Sequence, residues 1–212
     1  MDSEKQTKKK LLDSAKKEFI EKGYMKASLR NICKDAGVTT GAMYFFFKDK
    51  EELFENVVSG PLKELEAAIG SHFNMEAAMS DDGLSFSPED LKDDYEAALT
   101  ILSVLFRYRD EYLLVISNSQ GSKYENIVDR FVTYIYEHYL DMFCRMKGYS
   151  SKKDLKDEDR FIVHWMSHDQ IDIFIHLLSH CESEKEAAGQ MKNMFNYMVG
   201  GWLSAIRKDI IS

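Results

Sequence analysis

The sequence predicts an all-α protein: an N-terminal three-helix domain followed by a longer antiparallel helical bundle. Three observations carry that expectation. Only two prolines occur in 212 residues, so long helical stretches are left unbroken. No Val/Ile/Thr-rich alternating run with hairpin turns is present. Apolar residues instead recur at helical spacing, in segments punctuated by capping patterns and glycines.

Taken in order, Ser3-Glu4-Lys5-Gln6 has the form of a capping box and is expected to open the first helix. Leu11, Leu12, Ala15, Phe19 and Ile20 mark its apolar stripe, and Lys22-Gly23 closes it. Lys8, Lys9 and Lys10 suit either solvent or phosphate. Ser28 is placed to N-cap a helix running to Asp35, in which Leu29, Ile32 and Cys33 share a face. Gly37 then takes the positive φ at which a helix stops, with Val38 tucked beneath the turn. Thr39 caps a second short helix whose Met43 and Phe47 point inward, leaving Thr40, Gly41 and Tyr44 on the free face.

Two short helices joined by a tight glycine turn read as a helix-turn-helix, whose second helix can enter a DNA major groove. An ordinary helical hairpin is the competing reading. Against it, the free face is small and uncharged over Thr39, Thr40 and Gly41, as close approach to base edges requires. It is also flanked by the cations Arg30, Lys48 and Lys50.

Asp49-Lys50-Glu51-Glu52 is a further capping box, opening a helix with Leu53, Phe54, Val57 and Val58 inward and continuing past Gly60-Pro61. Residues 80–87 form the clearest linker, and Ser87-Pro88 starts a helix carrying Tyr95, Leu99, Leu102 and Phe106. Arg107 to Asp110 interrupts it before an apolar piece, Tyr112 to Ile116, that Gly121 ends. Ser122-Lys123-Tyr124-Glu125 is expected to open a long amphipathic helix over 123–147, followed by a connection from Gly148 to Lys156. Helices at 158–181 and 184–207 complete the chain, the last opened by the box Ser183-Glu184-Lys185-Glu186.

Residues 7–58 resemble the DNA-binding domain of the tetracycline-repressor (TetR) family of transcriptional regulators. The resemblance rests on Leu12, Ala15, Phe19, Gly23-Tyr24, Ser28, Ile32, Ala36-Gly37-Val38, Gly41, Met43-Tyr44, Phe47 and Lys50-Glu51-Glu52-Leu53. Phe46 departs from the family pattern, which often has a histidine or tyrosine there touching a phosphate. The resemblance implies a DNA-binding domain over 1–48 and a ligand-binding and dimerisation domain over 49–212. The helix through Leu53–Leu65 would be the lever between them, and the last two helices would pair with those of a second copy. It also implies that Arg30 and Thr40 read bases, and that Ser28, Thr39, Tyr44, Lys48 and Lys50 hold phosphates. Residues 39–45, Phe45 included, would lie in the groove.

Composition fits such a protein once charge is divided. The net charge is −8, but residues 1–50 carry +5 and the remainder −13, a basic head on an acidic body. No apolar run approaches the ~20 residues that span a bilayer, and the charged N-terminus is unlike a signal peptide. The three cysteines, Cys33, Cys144 and Cys181, are odd in number and widely spaced, pointing to the reducing cytoplasm.

No phosphate loop or nucleophile elbow is present, so no enzyme and no cofactor are expected. His164, His168, Asp172, His176 and His180 recur every four residues; a polar seam is their expected role, with no metal assigned. Tyr95, Leu102, Phe106, Phe131, Tyr134, Trp165 and Asp169 are the candidate lining of an effector pocket, each equally explained by core packing. The sequence therefore predicts a homodimeric, ligand-responsive repressor of double-stranded operator DNA. It would be released by a small lipophilic effector. The alternative is a helical small-molecule or metal sensor without operator binding.

Overall fold

The computed structural model describes residues 2–78 and 88–206, so the expected linker at 80–87 lies outside the described residues. Helices follow one another as α1 (Asp2–Lys26), α2 (Leu29–Ala36), α3 (Thr40–Phe46), α4 (Lys50–Ala78), α5 (Pro88–Arg107), α6 (Arg109–Ser117), α7 (Ile127–Lys147), α8 (Asp157–His180) and α9 (Glu184–Ile206). A 3₁₀ turn at Lys152–Asp154 interrupts the α7–α8 connection. Among the described residues there is no strand.

The chain forms two compact units. One comprises Met1–Glu64 with Tyr108–Ile127, and the other Leu65–Arg107 with Val128–Ser212. Helix α4 contributes its beginning to the first and its end to the second.

The first unit is built on an aromatic centre. Phe19 and Phe54 are both fully buried and meet edge to face at 4.9 Å, and Tyr24 meets Phe54 in the same manner at 5.1 Å. Leu11, Ala15, Ile32, Met43, Phe47 and Leu53 are buried in the same unit. Helix α6 belongs to this unit: Lys16 pairs with Glu111 at 2.9 Å, and the buried Tyr112 hydroxyl donates to the Pro61 carbonyl at 2.6 Å. Pro61 sits inside α4 without ending it.

Three boundaries differ from the sequence reading. Helix α1 begins at Asp2, so Ser3 lies within the helix and does not cap it; Thr7 Oγ1 donates to the Ser3 carbonyl instead. Helical geometry does break at Gly23, at φ 71° and ψ 163°. The stripe on α1 includes buried Ser14, while Ile20 is 39% exposed. Ser122 caps a turn rather than α7. Its Oγ accepts from Tyr124 N–H, Glu125 reaches back to Gly121 N–H, and the helix starts only at Ile127. The polar interruption before α6 is shorter than expected, since the helix resumes at Arg109.

In the second unit α5 packs against α9 and α8. Phe143, Leu102, Val163, Ala187 and Met191 are fully buried, and Trp202 lies against Tyr139 at 4.7 Å and Phe143 at 6.1 Å. Buried Asp159 accepts from Lys147 and from the Tyr149 hydroxyl, each at 2.7 Å, fastening the α7–α8 connection. Burial alone would raise the Asp159 pKa; the two hydrogen bonds and the lysine charge outweigh it and lower it.

Candidate nucleic-acid interface

The helix-turn-helix is set by its caps. Ser28 Oγ accepts from Asn31 N–H and opens α2. Gly37, at φ 69°, ends it: Val38 N–H returns to the Cys33 carbonyl and Gly37 N–H to the Lys34 carbonyl, the paired bonds of a Schellman motif. Thr39 Oγ1 then accepts from Ala42 N–H at 3.1 Å and opens α3. Asp49 caps α4 through Glu52 N–H, while Glu52 reaches back to Lys48 N–H at 2.6 Å. With Met43 and Phe47 buried, the geometry of α3 turns Thr40, Gly41, Tyr44 and Phe45 outward.

That outer face holds most of the expected residues. Thr39, Thr40 and Gly41 are exposed, as are Tyr44 at 53% and Phe45 at 74%. Arg30 and Lys48 are exposed beside them. Thr40 also hydrogen-bonds the buried Cys33 thiol, whose pKa burial raises and this bond lowers in part. Phe46 is half-buried, its ring edge-on to Phe45 at 5.1 Å.

Two residues are more occupied than the sequence suggests. Lys50 Nζ donates to the Met25 carbonyl at 3.1 Å and lies 4.8 Å from the centre of the Tyr24 ring. Burial lowers its pKa. Ser28 N–H is already taken by Glu18 Oε1 at 3.0 Å, and Asn31 donates to the same oxygen. Behind this face Tyr24 donates to Glu51 at 2.9 Å; burial first, and then Glu51, push its phenol up to about 12.

The seven residues expected to line an effector pocket border neither of two cavities described in the second unit. Leu102 is fully buried, Phe106 and Phe131 are half-buried, and Tyr95 meets Phe195 edge-on at 5.4 Å. Tyr134 and Trp165 are exposed at 43% and 61%, and Asp169 is half-buried, its pKa raised by burial and by Asp172. A cavity of about 90 Å³ does occur in the second unit, but its walls include His72, Glu76, Asp94, Tyr139, Phe174 and Trp202 and none of those seven. Sequence reasoning missed this group. His72 and Glu76 are four apart on α4, the one local signal available, whereas Asp94 joins them only through the fold. On α8, His164 and His168 have ring centres 4.7 Å apart and His176 and His180 4.3 Å apart, on a largely exposed face.

A capped helix, a Schellman turn and a second helix with a small uncharged outer face define a helix-turn-helix domain, here followed by a helical bundle. Residues 11–57 match the family model described as bacterial regulatory proteins, tetR family. The match is confined to this helix-turn-helix domain.

The same region is 41% identical over 59 residues to the uncharacterized HTH-type transcriptional regulator YhgD of Bacillus subtilis, covering 28% of this chain and 31% of that protein. It is 44% identical over 52 residues to the HTH-type transcriptional regulator AcrR of Shigella flexneri, covering 24% of each. The chain thus spans about a quarter to a third of the length of these curated relatives. Across nearly the whole chain the fold resembles that of NalD, the secondary repressor of the MexAB-OprM multidrug efflux pump in Pseudomonas aeruginosa. That match has a TM-score of 0.57 and 19% identity, over 93% of this chain and 97% of NalD. No helix among the described residues is long and apolar enough to cross a membrane.

Proposed function

We propose that the protein is a non-catalytic, cytoplasmic transcriptional repressor that binds a palindromic DNA operator as a homodimer and is released by an effector held in its second unit. One observation carries the DNA reading: α3 buries Met43, its C-cap Phe47 is buried as well, and Thr39, Thr40 and Gly41 leave a small, uncharged surface between Arg30 and Lys48. Such a face admits base edges while the flanking cations meet phosphates. The repressor names of NalD and of BepR from Brucella suis support the sign of regulation.

Arg30 and Thr40 are the base readers, while Thr39, Tyr44 and Lys48 fix register on the backbone. Ser28 and Lys50 first serve the domain's own structure. Arg30→Ala is expected to weaken binding to DNA from the protein's own promoter by about 1–3 kcal/mol and to relax preference at one base pair in each half-site. Lys48→Ala should weaken every sequence alike and flatten the salt slope by about one unit per protomer. Fluorescence anisotropy at several salt concentrations reads both effects. Wild-type affinity in both variants would remove α3 from the groove.

The dimer is proposed to form through α8 and α9, where Phe161 and Trp165 are 75% and 61% exposed and Tyr197 61%. Side chains added at Gly200 or Gly201 would meet nothing within 4 Å, leaving room for a close helix partner. Trp202 of α9 is buried within the protomer against Tyr139 and Phe143, so it is not offered to that partner. Light scattering at micromolar concentration should report a dimer; a monomer would refute the interface.

A further inference from the structure

We infer that His72, Glu76 and Asp94 form a binding site for a divalent transition-metal ion of the zinc class. His72 and Glu76 project from one face of α4, and Asp94 comes from α5. One ligand atom from each lies within 4.8 Å of the others. His72 Nε2 is 3.6 Å from Glu76 Oε1 and 3.8 Å from Asp94 Oδ1. Bond lengths of about 2.0–2.2 Å at tetrahedral angles place neighbouring donors roughly 3.3–3.5 Å apart, so small rotamer changes complete the geometry.

The surroundings fit the same reading. His138 Nε2, from α7, lies 2.6 Å from Glu76 Oε2, the outer-shell contact that fixes a ligating carboxylate. Phe73 stacks on the His138 ring at 3.7 Å and holds it in place. The three donors are shielded, with side chains 17%, 13% and 32% exposed. Two carboxylates drawn together in such a setting favour a cation between them.

Volume separates an ion from an organic molecule. The cavity that all three donors line measures about 90 Å³, well below the roughly 300–1,000 Å³ of drug-sized pockets, whereas a neighbouring cavity of about 390 Å³ takes in only Glu76 of the three. An imidazole and two carboxylates leave a fourth position for water, as three-ligand zinc sites do. The α8 histidines are the weaker candidate, since they offer donors in pairs from a single exposed helix.

Metal binding stands by itself. Only its regulatory consequence rests on the function proposed above: α4 carries two ligands and also follows the helix-turn-helix, so a metal-bound α4 would alter DNA affinity.

The test is calorimetric titration of ZnCl2 into the chelator-treated full chain, repeated on Asp94→Asn, His72→Phe and His138→Ala, with His164→Ala/His176→Ala as control. Wild type and control should bind one ion per chain at this site. Losing an outer-shell partner costs about 10–100-fold in affinity, so His138→Ala should fall in that range and the two ligand variants at or beyond it. Thermal melts confirm folding, and zinc should raise the midpoint of wild type but not of the near-isosteric Asp94→Asn. Cobalt(II) should give wild type visible absorption bands that Asp94→Asn lacks.

No stoichiometric ion in wild type, undiminished affinity in folded Asp94→Asn, or loss of binding in the α8 control would overturn the site. A zinc-dependent change in DNA affinity supports the regulatory consequence. Unchanged DNA affinity with zinc bound overturns that consequence alone, and failure to bind DNA at all strikes the proposed function while the calorimetry still decides the site.

Discussion

Phe54→Ala should cost the first unit about 3–5 kcal/mol, the usual toll of emptying a fully buried aromatic site. Phe54 has no exposed surface and receives the edges or faces of Phe19 and Tyr24 at 4.9 and 5.1 Å, with Tyr124 at 6.0 Å. These neighbours come from α1, the segment after its Gly23 break, and the turn before α7, so relaxation of one cannot fill the void left against the others. Domains hold only about 5–15 kcal/mol in total, and such a loss brings local opening within easy thermal reach.

Because the chain has two compact units, a single melting midpoint would blur the effect. Hydrogen exchange is the sharper measurement. Amides of α1, α2 and the start of α4 should lose protection together, while those of α8 and α9 keep theirs. Phe45→Ala is the matched control, because a 74% exposed ring should change stability by no more than about 0.5 kcal/mol. A change under about 1 kcal/mol in Phe54→Ala would mean that this aromatic centre does not hold the unit together.

What the sequence disclosed follows the range of the forces involved. Caps and turns are local, and Ser28, Gly37, Thr39 and Asp49 act where their chemistry puts them. Helical periodicity is local too, which is why the outward set from Thr39 to Phe45 was readable from Met43 and Phe47 alone. The same capping chemistry misleads where a turn can use it equally well. Ser122 and Glu125 satisfy N–H groups of the 119–125 turn, and the pattern reads the same in both settings.

Tertiary partners are a different matter. Nothing near Lys50 announces that its ammonium will be held by the Met25 carbonyl, 25 residues back. Asp94 reaches His72 from another helix, across residues that separate the two in sequence. The conspicuous histidine repeat lies on α8 alone, whereas the donors that converge come from two helices.

The largest functional effect is expected from Gly41→Glu: loss of more than about a hundredfold in operator affinity with the fold intact. Gly41 is the second residue of α3, exposed, and a Cβ built there meets only Thr39 Oγ1 at 3.9 Å. The substitution therefore strains nothing. It should favour the helix slightly, because glutamate is a better helix former than glycine and a carboxylate suits a helix N-terminus. At a DNA surface the same carboxylate stands against phosphates and base acceptors, and like charges so placed cost several kcal/mol. Gly41→Ala separates bulk from charge, and should lose less than the glutamate variant while melting at or above the wild-type temperature. Anisotropy on operator DNA and a thermal melt of the same samples give the two readouts. A stable Gly41→Glu protein that still binds with wild-type affinity would show that α3 does not enter the groove, however well its outer face is shaped for it.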